Sequence, residues 1–427
     1  MTALGLTGTA IVLEDGTLVA RETDATQWTL VGDASTKFVD IATSAVGGHY
    51  AAVSTDGCLT VWGKNVDGAQ GAGFPPSVYS SLPVKIPRLL FGGSRVFQVA
   101  VGNSHTVVLT TTGRVYTSGQ GRKGALGHGI GSFGNYDEML EIWPFIGKCA
   151  SFVAAGAEST FVVCQCEGEQ RNSLWACGSC EHGGLGLETR SPCYKLTRLP
   201  TFGSSNIKML SSYRHTVAVQ DDGEAYVWGL NDQGQLGVGD TQNRRHPTML
   251  RHPYLRIVSV ACGHEHTTIL DKTRQVYTCG RGDLGALGHG DTVNTKFFTR
   301  VTNMPPAKAV SANATRSAAV AANGNDNGKL FVWGCISSPQ IKGPVVSTPT
   351  LVPTAAGVCR YGNRIDPLYV LAFAMGTHSR IGAASAMNAL PEDLIRRVLD
   401  KCHAHGPPGP SRILASTFDD ESTPLRT

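Results

Sequence analysis

Charge is scarce in this chain: Lys, Arg, Asp and Glu make up 16% of 427 residues, against about 25% in ordinary soluble domains. The 37 basic residues barely outnumber the 33 acidic ones, a formal net charge of +4. Such a balance lacks the polycationic face that dominates non-specific nucleic-acid binding, so no direct nucleic-acid partner is expected. Also missing is any run of about 18 apolar residues, the length a spanning helix needs, which argues against membrane insertion. The opening residues, MTALGLTGTAIVLEDG, have no basic n-region and read as a strand and turn, not a signal peptide. The expectation is a cytoplasmic, non-secreted chain, with the nucleus as the alternative, whose 12 cysteines stay reduced.

A hydrophobic fraction of 41% excludes wholesale disorder. What the chain has in excess is glycine, 51 residues where average usage would supply about 30. Self-similarity explains the excess. The block VGNSHTVVL…TTGRVYTSG…GRKGALGHG around His105 returns as SSYRHTVAVQDDGEAYVWGLNDQGQLGVGD from Ser211 and as ACGHEHTTILDKTRQVYTCGRGDLGALGHGD from Ala261, with weaker copies from Gly47, Ala155 and Asn313. A glycine closes each hairpin at Gly63, Gly119, Gly178, Gly229, Gly280 and Gly334, at spacings of 56, 59, 51, 51 and 54 residues.

Each unit consists of short strands rich in Val, Ala, Leu, Thr and Tyr between Gly, Asp and Asn turns, the pattern of antiparallel β structure. Tight hairpins such as Asp56-Gly57, Thr112-Gly113 and Asp222-Gly223 need the positive φ that glycine adopts freely. A single unit cannot bury both its faces, whereas radial arrangement of the copies leaves only short, protected edges. The fold class predicted is therefore all-β, a seven-bladed β-propeller. Six hairpins are complete, and a seventh blade combines AIVLEDGTLVA from Ala10 with C-terminal strands drawn from TLVP at Thr350 and YVLAFAMGTHS at Tyr369, so that both termini close the ring. Length alone suggests two or three domains; the repeat replaces them with one propeller over residues 1–386.

The recurring G-x-x-H-T…D-G-x-V-Y-x-W-G-x-N-x-x-G-Q-L-G-x-G-D, best preserved from His215 to Asp240, resembles the repeat of the regulator of chromosome condensation family over about residues 1 to 386. Neither the Trp-Asp ending of WD repeats nor the paired glycine of kelch repeats recurs in register. The resemblance implies a seven-bladed propeller that binds protein partners. It covers exchange factors for a nuclear small GTPase, ubiquitin-ligase modules, a plant ultraviolet-B photoreceptor and scaffolds without enzymatic activity. The photoreceptor branch gathers tryptophans through G-W-R-H-T motifs on adjacent blades. Here Ser212-Tyr213-Arg214-His215-Thr216 lacks the Trp and occurs once, which argues against a light sensor.

No set of side chains reads as catalytic, cofactor-binding or metal-binding. GQGRKG from Gly119 and GRGDLG from Gly280 match a dinucleotide fingerprint but lie between β-hairpins in repeat register, without the βαβ setting the fingerprint needs. Cys164, Cys166, Cys177, Cys180 and Cys193 invite zinc, yet Cys177 fills the slot held by Trp62, Ser118, Trp228, Cys279 and Trp333 in other blades, a packing role. His49, His105, His215 and His266 also share one slot, with Ser159, Arg316 or Ser379 elsewhere. A slot repeated once per blade is a structural solution, and these imidazoles are expected to satisfy backbone groups where the inner strands begin. The loop from Ile130 to Pro144 is expected to project, and Phe133, Tyr136, Asp137, Glu138 and Trp143 on it are the candidate partner-binding residues.

After the ring the character changes. Leu394, Ile395, Val398, Leu399 and Cys402 fall on one face of a helix predicted within residues 387–405. Pro391 suits its first turn and Gly406 its stop. Ala-Leu-Pro-Glu-Asp-Leu-Ile resembles the opening helix of an F-box, although a full F-box needs three helices. The helix is expected to cap the propeller or to dock a partner through Leu394, Ile395 and Val398, and residues 406–427 read as a flexible tail. The function expected is a non-enzymatic interaction scaffold without cofactors. The alternatives are an exchange factor acting on a small GTPase, or a ubiquitin-ligase adaptor.

Overall fold

The structure is a computed structural model that describes residues 9–351, apart from residues 13–17, 22–28, 31–35, 45–47, 74–78, 130–133, 143–147, 167, 201–204, 253, 323–329 and 336–344. The predicted helix at 387–405, the tail at 406–427 and the ring-closing segment from Tyr369 lie outside the described residues.

The described strands form seven antiparallel sheets, one of three strands and six of four, each a meander in chain order. Blade 1 holds β1 (Thr9–Val12), β2 (Leu18–Arg21) and β3 (Thr29–Leu30). Blade 2 holds β4 (Phe38–Thr43), β5 (His49–Ser54), β6 (Leu59–Lys64) and β7 (Tyr79–Ile86). Blade 3 holds β8 (Val96–Val101), β9 (His105–Thr110), β10 (Val115–Gly119) and β11 (Tyr136–Glu141). Blade 4 holds β12 (Lys148–Ala155), β13 (Ser159–Cys166), β14 (Asn172–Gly178) and β15 (Cys193–Arg198). Blade 5 holds β16 (Ile207–Ser212), β17 (His215–Gln220), β18 (Ala225–Gly229) and β19 (Arg244–Met249). Blade 6 holds β20 (Ile257–Cys262), β21 (His266–Asp271), β22 (Val276–Gly280) and β23 (Thr295–Arg300). Blade 7 holds β24 (Ala307–Asn313), β25 (Arg316–Ala321), β26 (Leu330–Cys335) and β27 (Val345–Leu351).

The first strands β4, β8, β12, β16, β20 and β24 touch in sequence, which sets the blades side by side around a common axis. Blades 2 to 6 are therefore covered on both faces. For that reason the second strands HYAAVS, HTVVLT, HTVAVQ and HTTILD are buried at every position instead of alternating. The core lies between blades. Val107, Leu109 and Ile142 of blade 3 pack on Ala150, Val153 and Val162 of blade 4, and Val217, Val227 and Leu236 of blade 5 on Val260, Ile269 and Phe298 of blade 6.

The closing glycines end or nearly end the third strands with φ of 95° at Gly63 and 100–119° at the other five. A Cβ at Gly229 would stand 2.6 Å from the Arg214 carbonyl oxygen, and the corresponding carbonyl of the preceding turn crowds each of the others. Glycine is required there by close backbone approach as well as by φ. The hairpin glycines Gly57, Gly113 and Gly223 have φ of 79°, 76° and 82°, and blade 6 places Arg274 in the same turn at φ 65°.

Two expectations change here. Thr350 and Leu351 do not close the ring. They end β27, where Thr350 pairs with Val332 and Leu351 with Phe331 as the outer strand of blade 7. The 130–144 segment is also not one projecting loop, because Tyr136, Asp137 and Glu138 form the first half of β11, laddered to β10 through Tyr136 and Gly119. The outer-strand pattern was obscured in sequence by charged residues in a strand that needs only one buried side chain, Met139.

Candidate functional site

The repeated polar slots meet across blade boundaries. His49 Nε2 lies 3.2 Å from Thr106 Oγ1, His105 Nε2 3.1 Å from Thr160 Oγ1, His215 Nε2 2.7 Å from Thr267 Oγ1 and His266 Nε2 3.0 Å from Ser317 Oγ. Each hydroxyl belongs to the next blade and donates its one proton back to a turn carbonyl of the histidine's own blade. Thr106 donates to Ala69 at 2.6 Å, Thr160 to Ala125 at 2.6 Å, Thr267 to Gln235 at 2.6 Å and Ser317 to Ala286 at 2.8 Å. The hydroxyl proton being committed, Nε2–H must be the donor. The main partner is thus a side chain on the neighbouring blade. Backbone is reached as well: His266 lies 3.1 Å from the Arg316 carbonyl, and the backbones of His105 and Ser159 bond to His49 and His105.

The hairpin-closing slot serves carbonyls of the same set of turns, three of them shared with the hydroxyls above. Ser118 donates to Ala69 at 3.1 Å, Cys177 to Ala125 at 3.5 Å, Trp228 to Gly184 at 2.9 Å and Cys279 to Gln235 at 3.3 Å. Ser118, Cys177, Trp228 and Cys279 can share the slot because each brings one donor on a body sized to its site, whereas Trp333 fills it by packing, its Nε1 buried without a partner among the described residues. Burial pushes the Cys177 and Cys279 thiols well up and that of Cys262 to about 12, so these sulfurs are protonated packing groups. Cys164 Sγ faces Ser173 Oγ at 3.6 Å. Among the described residues no three His, Cys, Asp or Glu side chains are grouped to hold a metal.

Burial also lowers the slot imidazoles, His49 and His215 to about 3 and His105 and His266 to about 4. His215 Nδ1 is buried with no hydrogen-bond partner, so a second ring proton would have nowhere to go. This belt bolts blades together and has no path to a reacting molecule.

A different polar set opens to solvent at one end of the first strands. The turns entering β9, β13, β17, β21 and β25 carry Asn103, Ala157, Tyr213, His264 and Ala314 in one register. Their backbones are linked in two runs: Asn103 N–H donates to the Ala157 carbonyl at 3.0 Å and Ala157 N–H to Tyr213 at 3.0 Å, and His264 N–H donates to Ala314 at 3.2 Å. The Tyr213 ring stacks on His264, centroids 4.2 Å apart and planes 9° from parallel. Asn103 Nδ2 stands 3.5 Å from the Tyr213 hydroxyl, bringing together residues 110 positions apart.

Charged groups ring this centre. Lys123 bridges Glu158 at 2.8 Å and Glu181 at 3.0 Å, and Arg281 bridges Glu265 at 2.6 Å and Asp283 at 2.7 Å. Arg214 is exposed beside the stack. Lys123, Arg281 and Asp283 sit in the GQGRKG and GRGDLG turns, and Glu181 meets Lys123 from blade 4; each of these turns joins the third and fourth strands of one blade, with Gly124 and Gly285 at φ 83° and 72°. Tyr136, Asp137 and Glu138 lie instead on the outer rim, where Gly73 N–H donates to the Asp137 carbonyl at 2.7 Å. Phe133, Trp143, Leu394, Ile395 and Val398 fall outside the described residues. Reasoning from sequence missed this centre because Asn103, Tyr213 and His264 look like variable turn residues. Their common offset of two before the slot His was the available signal.

Sequential four-stranded blades, interblade bolts and a polar end surface define a β-propeller whose described residues bring no reacting groups together. The profile of the regulator of chromosome condensation (RCC1) repeat matches residues 222–270, and a second profile of that description matches 98–125 and 257–286. The chain carries repeats of the regulator of chromosome condensation type. It is 34% identical over 255 residues to the ultraviolet-B receptor UVR8 of Arabidopsis thaliana, covering 58% of this chain and 54% of the receptor. It thus spans about half the length of that relative. It is 28% identical over 347 residues to the mitochondrial RCC1 domain-containing protein RUG3 of Arabidopsis thaliana, covering 77% of this chain and 72% of RUG3. Prp20p from Saccharomyces cerevisiae superposes with a TM-score of 0.67 at 23% identity, covering 83% of this chain and 88% of Prp20p, a likeness of fold alone. Among the described residues no helix is long and apolar enough to cross a membrane.

Proposed function

We propose that the chain is a non-enzymatic scaffold that binds a protein partner through the end surface centred on Tyr213 and His264. The observation that carries this reading is the stacked Tyr213–His264 pair with exposed Arg214 beside it, fixed on backbone-linked turns. Tyr and Arg are the side chains that most often anchor interfaces. A platform ordered before binding loses little entropy on docking. The charged bridges around it would set orientation and partner choice more than affinity. Reduced, buried thiols suit a chain working in the cytoplasm or nucleus.

The test is quantitative cross-linking and affinity capture with the wild-type chain and a Tyr213→Ala, Arg214→Glu variant of unchanged thermal midpoint. Loss of a defined partner set in the variant supports the assignment, and an unaltered set defeats it. Two further arms address the competing activities. Acceleration of labelled GDP release from purified Ran-like GTPases by roughly tenfold, about 1.4 kcal/mol in barrier, would replace the scaffold by an exchange factor. Loss of ubiquitin-ligase adaptor capture on deleting residues 387–427 would move the docking function to the C-terminal segment.

A further inference from the structure

The outer strands carry a charge asymmetry that becomes visible only in structural register. Tyr136, Cys193, Arg244 and Thr295 each stand opposite a blade-closing glycine. Counting from them, the first, second and fifth following positions are Asp137, Glu138 and Glu141 on β11. On β15 they are Tyr194, Lys195 and Arg198; on β19, Arg245, His246 and Met249; on β23, Lys296, Phe297 and Arg300. One blade is acidic in all three positions, and the next three consecutive blades carry no acid in any of them.

Lys195, Arg198, Arg245, His246, Lys296 and Arg300 are all exposed. Glu169 neutralises Arg198 with two contacts of 2.7 Å, and Glu188 lies 3.6 Å from His246. Lys195, Arg245, Lys296 and Arg300 form no ion pair among the described residues. Preceding blades hold the strands in place: Gly129 N–H donates to the Tyr194 carbonyl at 2.7 Å and Gly239 N–H to Lys296 at 2.9 Å. Phe297, 62% exposed, lies within this arc.

We infer that the rim of blades 4 to 6 is a second docking surface, for an acidic protein segment that also carries apolar side chains. Unpaired cations on a fixed arc attract such a segment and set its register, while Phe297 offers apolar contact among them. A nucleic-acid strand fits less well, because a polyphosphate following the rim onto blade 3 would meet Asp137, Glu138 and Glu141. A short acidic segment ends before them.

The experiment follows fluorescence anisotropy of a fluorescein-labelled synthetic peptide of alternating Asp, Glu and Phe, titrated with the full chain. A single-stranded oligodeoxythymidine of equal formal charge is titrated in parallel. Saturable binding that weakens with salt is expected, and Lys195→Glu, Arg245→Glu, Lys296→Glu together should weaken it about tenfold or more. The neutral Lys195→Gln, Lys296→Gln variant should lie between. Arg214→Glu, on the end surface, should leave peptide binding unchanged, which separates this proposal from the scaffold assignment above. Absence of binding, or equal binding by the triple variant at unchanged far-ultraviolet circular dichroism, overturns the proposal. Tighter binding of the oligonucleotide than of the peptide overturns the choice of partner.

Discussion

Lowering the pH from 7.5 to 5.5 should destabilise this propeller far more than its modest net charge would suggest. His49, His105, His215 and His266 are neutral in the fold, with pKa values burial has pushed down to about 3 or 4. In the unfolded chain they titrate near 6.5. A histidine depressed in this sense stabilises the fold fully above its unfolded pKa, and that contribution is lost as pH falls toward the folded value, because the unfolded chain binds the proton first. At pH 5.5, one unit below the unfolded value, each histidine costs about 1.4 kcal/mol, so four cost roughly 5.5 kcal/mol. Domains of ordinary stability hold only about 5–15 kcal/mol in total. Burial shifts His128 and His289 in the same direction, which steepens the loss. Urea titrations at the two pH values, read by tryptophan fluorescence and circular dichroism, should show the midpoint collapse. Calorimetry in buffers of different ionisation enthalpy should show uptake of at least about three protons on unfolding at pH 5.5. An unchanged midpoint, or uptake below about one proton, refutes the neutral-belt argument. His215→Gln, which keeps a donor without titrating, should reduce the uptake by about one proton.

Thr267→Val removes the hydroxyl between His215 and the Gln235 carbonyl and should cost about 1–3 kcal/mol by urea titration, with Thr267→Ser restoring most of it. Gly229→Ala should cost at least twice as much as Gly93→Ala, itself worth about 1 kcal/mol. Both glycines have positive φ, but only Gly229 has a carbonyl oxygen 2.6 Å from where the Cβ would stand, while Gly93 has open space. Arg274→Gly, which brings blade 6 into line with Gly57, Gly113 and Gly223, should raise the thermal midpoint through a gain of about 0.5 kcal/mol, the relief of left-handed strain less the added chain entropy.

Much of the architecture is legible in the repeat. The spacing of Gly63, Gly119, Gly178, Gly229, Gly280 and Gly334 marks six of the seven blades, and the register placing Cys177 and Cys279 with Trp62, Trp228 and Trp333 holds in the strand pairings. The readings that changed are those where local pattern is weak. An outer strand buries little, so Tyr136 to Glu141 looked like loop, and TLVP at Thr350 resembled the start of another unit.

Local chemistry determined the hairpins: turn glycines and β-branched strands act over a few residues, and the repeat multiplies them around a ring. Only the tertiary structure decided who meets whom between blades. His215 has no partner within its own repeat, and finds one because stacking carries Thr267 of the next blade to 2.7 Å. The Tyr213–His264 stack and the acidic and basic arcs of the rim arise in the same way, from side chains that hairpin register places identically in each blade and ring geometry then sets side by side.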